Sequence, residues 1–296
     1  MTWAPTVPSK AFPTSHRAGT NDTEGARRIA RAFAGARDGG RVSLIPYVVA
    51  GYPDAETSFR AAVAAVDAGA DLLEVGLPYS DPVADGATLQ RASSVAIKAG
   101  AALDHSLELV GRIHDARPEI PLVAMGYVNQ VVGHGDGGPV LGALAEAGVS
   151  GLILADLTPD EGEPVESVAR EAALALVYLV TPTTSPPRRA HIAARSGGFL
   201  YAISLVGVTG ARRSLPLEAV SFVREIGELS PVPVAVGFGV SRPEHVRRLA
   251  RVAAGIIVAS ALVDALGPDG HNVAAMAALV GRLSAAAKRE TGAASA

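Results

Sequence analysis

Eight apolar runs rich in β-forming residues alternate along this chain with Ala-rich amphipathic segments of helical length. The runs are VSLIPYVVAG from Val42, ADLLEVG from Ala70, PLVAM from Pro121, GLILAD from Gly151, LALVYLV from Leu174, GFLYAIS from Gly198, PVAVGFG from Pro233 and AGIIVAS from Ala254. Between them lie segments such as TSFRAAVAAVDAG, SLELVGRIHDAR, EPVESVAREAA, PLEAVSFVREIGEL and RPEHVRRLARV, whose apolar residues recur at helical spacing. A strand apolar on both faces needs cover on both sides, so the alternation calls for a parallel sheet wrapped in helices. Eight such units in about 250 residues fit a closed (β/α)8 barrel, a TIM barrel, with functional groups at the C-terminal ends of its strands. A doubly wound open sheet is the competing architecture. It lacks support because PYVVAGYPD, not a Gly-rich dinucleotide turn, follows the first strand.

NDTEGARRIARAFAGARD, from Asn21 to Asp38, reads as an extra helix capping the N-terminal end of the barrel. Before it, residues 1–20 hold three prolines and no amphipathic period, which points to a disordered tail rather than a transit peptide. The expected organisation is a tail over 1–20 and one barrel domain over 21–296. A formal net charge of −3 leaves no electrostatic footprint for nucleic acid, and no apolar run approaches the ~20 residues that span a bilayer. With 0 Cys there is no disulfide, thiolate nucleophile or cysteine metal site, a composition compatible with the cytoplasm. The His residues show no ligand spacing, so neither a metal nor a cofactor is expected.

Within DLLEVGLPYSDPVADG, Glu74 stands among strand formers at the C-terminal end of the second strand, and Asp85 follows in the loop. A barrel turns both toward its mouth. A carboxylate in an apolar collar and another in a polar loop have pKa values pushed apart, which furnishes a proton donor and a proton acceptor near neutral pH. The bland alternative is a buried ion pair at Glu74 and turn hydrogen bonds in SDPVADG, and Asp81, before a proline, suits such a turn. Across the mouth, GVTG after the sixth strand, GFG after the seventh and ASA after the eighth allow backbone N–H groups to approach an anion. A short helix starting at Ser260 would add its positive end, and this is the usual phosphate position in such barrels.

These residues carry a resemblance. DLLEVGLPYSDPVADG, IPYVVAGYPD, MGYVNQ, LVTPTTS and YAISLVGVTGARRSL, in that family's order, resemble the tryptophan synthase α subunit, a barrel lyase that cleaves indole-3-glycerol phosphate. The resemblance covers about Arg41 to Val263. It implies that Glu74 transfers protons at indole C3 and at the side-chain hydroxyl, that Asp85 accepts the indole N–H, and that Tyr201 contacts the reacting region. It also implies that Tyr47, Met125 and Tyr127 line the indole pocket, that Thr209 belongs to a closing loop, and that Gly210, Gly239 and Ser260 hold the phosphate. Simple barrel packing is an alternative for each tyrosine, and Arg212 and Arg213 read as a solvated loop face. A Schiff-base aldolase has no obvious nucleophile, since Lys10, Lys98 and Lys288 lie in tail or helix contexts.

The chain departs from the family pattern at Ala87, Gln130 and Thr158, where proline is usual, and at Ala259, where glycine is usual. The first three lie in loops through which the family meets its β subunit. The resemblance therefore implies an α subunit of an αββα heterotetramer in tryptophan biosynthesis, with two alternatives. One is a stand-alone lyase releasing free indole, and the other is a silent barrel that only activates a β subunit.

Overall fold

In a computed structural model, which describes residues 22–133, 135–203, 217–237 and 239–288, every hydrogen-bonded strand pair is parallel. The strands are β1 (Ser43–Val49), β2 (Leu73–Gly76), β3 (Leu122–Gly126), β4 (Val149–Leu154), β5 (Ala175–Val177), β6 (Leu179–Val180), β7 (Leu200–Ile203), β8 (Val234–Gly237) and β9 (Gly255–Val258). Hydrogen bonding runs in the order β5-β4-β3-β2-β1-β9-β8-β7-β6. Because β5 and β6 are consecutive in the chain, the ring is closed, which bears out the barrel and excludes the open sheet.

Nine strands stand where eight runs were expected, because LALVYLV divides at Tyr178. Its N–H is diverted to the Ser196 hydroxyl at 3.0 Å, while its own hydroxyl donates to Glu166 Oε1 at 2.7 Å. Glu166 also accepts from Arg195 Nε and Nη2 at 2.9 and 2.6 Å. The stretch pairs with β4 before this residue and with β7 after it.

The helices are α1 (Glu24–Asp38), α2 (Ala55–Asp67), α3 (Ala87–Lys98), α4 (Leu103–Ala116), α5 (Val128–Val132), α6 (Gly138–Glu146), α7 (Glu163–Glu171), α8 (Pro186–Arg195), α9 (Leu217–Leu229), α10 (Pro243–Leu249), α11 (Ser260–Ala265) and α12 (Val273–Ala286). The extra N-terminal helix begins at Glu24, three residues later than the sequence suggests, where the Thr23 hydroxyl accepts from Ala26 N–H at 3.1 Å. Such a cap contributes about 1 kcal/mol. Ile29 and Phe33 of α1 join Ile45, Leu72, Val123, Ile153, Phe199 and Ile257 in the inner core. The approach is close: a Cβ on Gly255 would lie 2.7 Å from the Phe33 ring, and one on Gly151 would lie 2.9 Å from Ile29 Cδ1. Thus α1 plugs the barrel. Leu44, Val48, Leu73, Val75, Leu122 and Ala124 pack outward in a second core beneath the helices. The tail over 1–20 lies outside the described residues.

Candidate active site

Side chains alternate along an extended stretch: Leu72, just before β2, belongs to the inner core, while Leu73 and Val75 of β2 belong to the outer one. Glu74 therefore points into the barrel, at the end opposite the α1 plug. It is 1% exposed, and neither carboxylate oxygen has a hydrogen-bond partner among the described residues. The ion pair that would have made Glu74 merely structural is not found there. An unpaired buried carboxylate is costly, and the group responds by holding its proton. Burial, and then the nearby Asp85 charge, push the Glu74 pKa up to about 8.

Asp85 lies in the loop between β2 and α3, just before Gly86, the N-cap of α3. The sequence suggests a polar, solvated setting, and the structure corrects this. Asp85 is half-buried, and burial pushes its pKa up to about 6, with the Tyr127 hydroxyl opposing the rise. The cover comes from elements remote in sequence. Tyr127, at the end of β3, stacks on Tyr79 with ring centroids 5.0 Å apart, and its hydroxyl accepts from Ala84 N–H at 3.1 Å. The two carboxyls still differ in acidity, with Glu74 the weaker acid. Asp81 keeps to the loop, as expected: it accepts from Ser80 Oγ at 2.6 Å, and its carbonyl accepts from Val83 N–H at 2.8 Å.

Tyr47 and Tyr201 are both buried and feel both carboxylates, which with burial drive their phenol pKa values upward. Tyr47 is the register partner of Glu74 across the β1–β2 ladder. Its hydroxyl would lie 1.8 Å from a Cβ on Gly76, and the Tyr201 hydroxyl 2.6 Å from a Cβ on Gly237. Glycine at these two places lets each phenol lie against the neighbouring strand. Met125, the register partner of Gly76, ends the same wall, and its carbonyl accepts from Leu77 N–H at 2.7 Å.

On the opposite wall, Gly239 follows β8 with φ +66, a conformation that favours glycine, and Ser260 opens α11 directly after β9. Both lie at the strand ends that carry Glu74. Ala259, where glycine was expected, has φ −116, outside the left-handed region that favours glycine. Thr209 and Gly210, like Arg212 and Arg213, lie outside the described residues. Among the described residues, no group of three His, Asp or Glu side chains is arranged to hold a metal ion, and no helix is long and apolar enough to cross a membrane. Sequence reasoning missed Tyr79 and the contacts of Asn129, whose amide donates to the Tyr79 hydroxyl at 3.3 Å. Only their place in PYSDP and MGYVNQ hinted at them.

A closed parallel barrel with two carboxyls of unequal acidity at its C-terminal mouth has the architecture of an α/β-barrel enzyme. The profile of the tryptophan synthase alpha chain family matches residues 33–290, and the chain belongs to that family. It is 43% identical over 239 residues to the tryptophan synthase alpha chain of Roseiflexus castenholzii, covering 81% of this chain and 91% of that protein. The alpha chain of Gluconobacter oxydans is 40% identical over 245 residues, with 83% and 90% covered. A solved structure of Mycobacterium tuberculosis tryptophan synthase matches with a TM-score of 0.82 at 38% identity, covering 89% of this chain and 99% of that one.

Proposed function

We propose that the chain cleaves indole-3-glycerol phosphate to indole and glyceraldehyde 3-phosphate as the α subunit of tryptophan synthase, in tryptophan biosynthesis. The observation that carries this reading is Glu74: inward, without a polar partner, and still protonated at neutral pH beside a more acidic Asp85. Retro-aldol cleavage needs a proton at indole C3, removal of the proton from the side-chain hydroxyl, and an acceptor for the indole N–H as charge moves through the ring. The Glu74 carboxyl donates to C3, and the carboxylate left behind takes the hydroxyl proton as the carbon–carbon bond breaks. The group ends as it began. Ionised Asp85 accepts from the indole N–H, which stabilises the ring as C3 is protonated.

Tyr201 borders the reacting region, and Tyr47, Met125 and Tyr127 form the flat apolar wall of the indole pocket. Gly210, Gly239 and Ser260 hold the phosphate by backbone N–H groups and one hydroxyl, and Thr209 belongs to the segment that closes over substrate. The partner is a tryptophan synthase β subunit in an αββα assembly. Family membership and the likeness to a solved tryptophan synthase support this. A cytoplasmic location follows from the pathway.

The test is indole released from indole-3-glycerol phosphate by the purified chain, alone and with a β subunit, with Glu74→Gln as blank. Slow release that rises by orders of magnitude with the β subunit is expected. Fast release indifferent to the partner would make the chain a stand-alone lyase. No release in either condition would overturn the proposal.

A further inference from the structure

The loop that carries Asp85 leaves the barrel where β2 and β3 part. The last backbone rung between them is Leu77 N–H to Met125 carbonyl, at 2.7 Å. Beyond it the Gln130 carboxamide supplies another. Its Oε1 accepts from Tyr127 N–H at 3.0 Å, and its Nε2 donates to the Pro78 carbonyl at 3.0 Å. A carboxamide carries the donor and acceptor of a peptide unit, so this side chain continues the ladder after the backbones have separated. Gly126 makes room, because a Cβ there would come within 2.8 Å of Gln130 Oε1. The rung joins the two ends of one arrangement. On the far side of the same loop, Ala84 N–H donates to the Tyr127 hydroxyl at 3.1 Å, and between these points the Tyr79 ring stacks on Tyr127.

We propose that Gln130 is a positioning residue: its carboxamide locks Pro78 to Tyr127, so that the loop bearing Asp85 and the tyrosine hydroxyl beside that carboxyl are held as one body. The two contacts together need a donor and an acceptor on one side chain, which the carboxamide supplies. Among the described residues no other hydrogen bond is made at Pro78, which lacks an N–H of its own. Released there, the loop lifts from Tyr127 and Asp85 gains water. The part played in turnover rests on the cleavage reaction proposed above, whereas the clamp itself does not.

The test uses the full chain with aspartate carboxyls labelled with carbon-13, the Asp85 signal being assigned by its loss in Asp85→Asn. The titratable groups facing Asp85 are Glu74 on β2, Tyr47 on β1, Tyr127 after β3 and Tyr201 on β7, and all are unchanged in the variants. Gln130→Met keeps the length and removes both polar contacts. The Asp85 midpoint then falls by about one unit toward the solvated value, because the relief of burial, the larger influence, outweighs the lost Tyr127 contact. Gln130→Glu keeps the acceptor for Tyr127 N–H and loses the donor to Pro78. In that variant the Ala84 amide exchanges with solvent about tenfold faster. An unchanged Asp85 midpoint in folded Gln130→Met overturns the proposal. If that variant does not fold, unchanged Ala84 exchange in Gln130→Glu overturns it.

In turnover, Gln130→Met lowers kcat about tenfold and costs nothing more in the Asp85→Asn background. A further loss in that background marks a structural role alone and sinks the assignment. The titration and exchange need no turnover. A chain that fails to cleave indole-3-glycerol phosphate would therefore refute the proposed function and leave the clamp standing.

Discussion

The Tyr47 hydroxyl occupies the space in which a side chain on Gly76 would begin, 1.8 Å from where its Cβ would be. The ring starts opposite Glu74 in the ladder and ends two residues further along the next strand. Tyr201 repeats the arrangement from β7 to β8, starting opposite Ala235 and ending at Gly237. Gly76→Ala therefore forces the phenol away from the strand. The expected cost is about 1–3 kcal/mol, read as a lowered melting temperature, with weaker binding of an indole-propanol phosphate analogue. Adding Tyr47→Ala removes the clash, so the double variant loses less stability than the two single losses summed. Strict additivity would show that the contact is unimportant.

Glu74→Gln keeps the shape and removes the exchangeable proton. Cleavage is expected to vanish while the analogue still binds within about threefold of wild type. Single-turnover indole release and calorimetry check the two halves separately. An active Gln variant would remove Glu74 from the mechanism.

The proposed mechanism calls for Asp85 ionised and Glu74 protonated. The pH profile of kcat/KM should be a bell, rising as pH passes about 6 and falling as it passes about 8. The two groups feel each other, so the limbs belong to the pair. Asp85→Asn should flatten the acid limb and leave the alkaline one. A profile with both limbs intact in that variant would assign the acid limb elsewhere.

Stability without ligand should depend on pH through the same groups. Glu74 has a folded pKa of about 8 against an ordinary 4.5, and Asp85 about 6 against 3.8. Both are raised acids, so between the two values the folded chain binds more protons than the unfolded one. The stability they contribute is complete below the ordinary values and is lost as pH rises through the folded ones. The melting temperature should therefore fall between about pH 4 and pH 8, and the Glu74 part of the fall should disappear in Glu74→Gln. For Glu74 the loss is on the order of a few kcal/mol. A flat wild-type curve would contradict the burial of an unpaired carboxyl.

Tyr178→Phe should cost about 1–2 kcal/mol, since it leaves Glu166 with the Arg195 contacts alone. Chemical denaturation measures this. Turnover should be unaltered, because the Tyr178 hydroxyl faces α7 and not the mouth.

Much of this was legible in the sequence for a simple reason. Strand runs apolar on both faces and helices amphipathic at a fixed period are local patterns, and they place Glu74, Gly239 and Ser260 at one end of a barrel without reference to distant residues. What escaped was nonlocal. SDPVADG is polar as a string, and nothing in it shows that Tyr127, from the end of β3, comes against the loop where Asp85 is half-buried. Gln130 reads as a departure from an expected proline, because its use lies in reaching Pro78, 52 residues earlier. LALVYLV looks like one strand, and nothing in it announces that Ser196 will take the Tyr178 N–H. α5, with 5 residues, is too short to show a helical period.

The division of the fifth strand bears on how the pocket is assembled. Ala175–Val177 bonds to β4, and Leu179–Val180 bonds to β7. The barrel is therefore two half-rings, β1–β5 and β6–β9, bordered on one side by the β1–β9 ladder and on the other by the chain through Tyr178 and the hydrogen bond from Gly197 N–H to the Leu176 carbonyl at 2.7 Å. Glu74 and Asp85 belong to the first half, and Tyr201, Gly239 and Ser260 to the second. The proposed proton chemistry and the proposed phosphate grip thus sit on separate halves, and the span between them is fixed by both borders and by neither half alone.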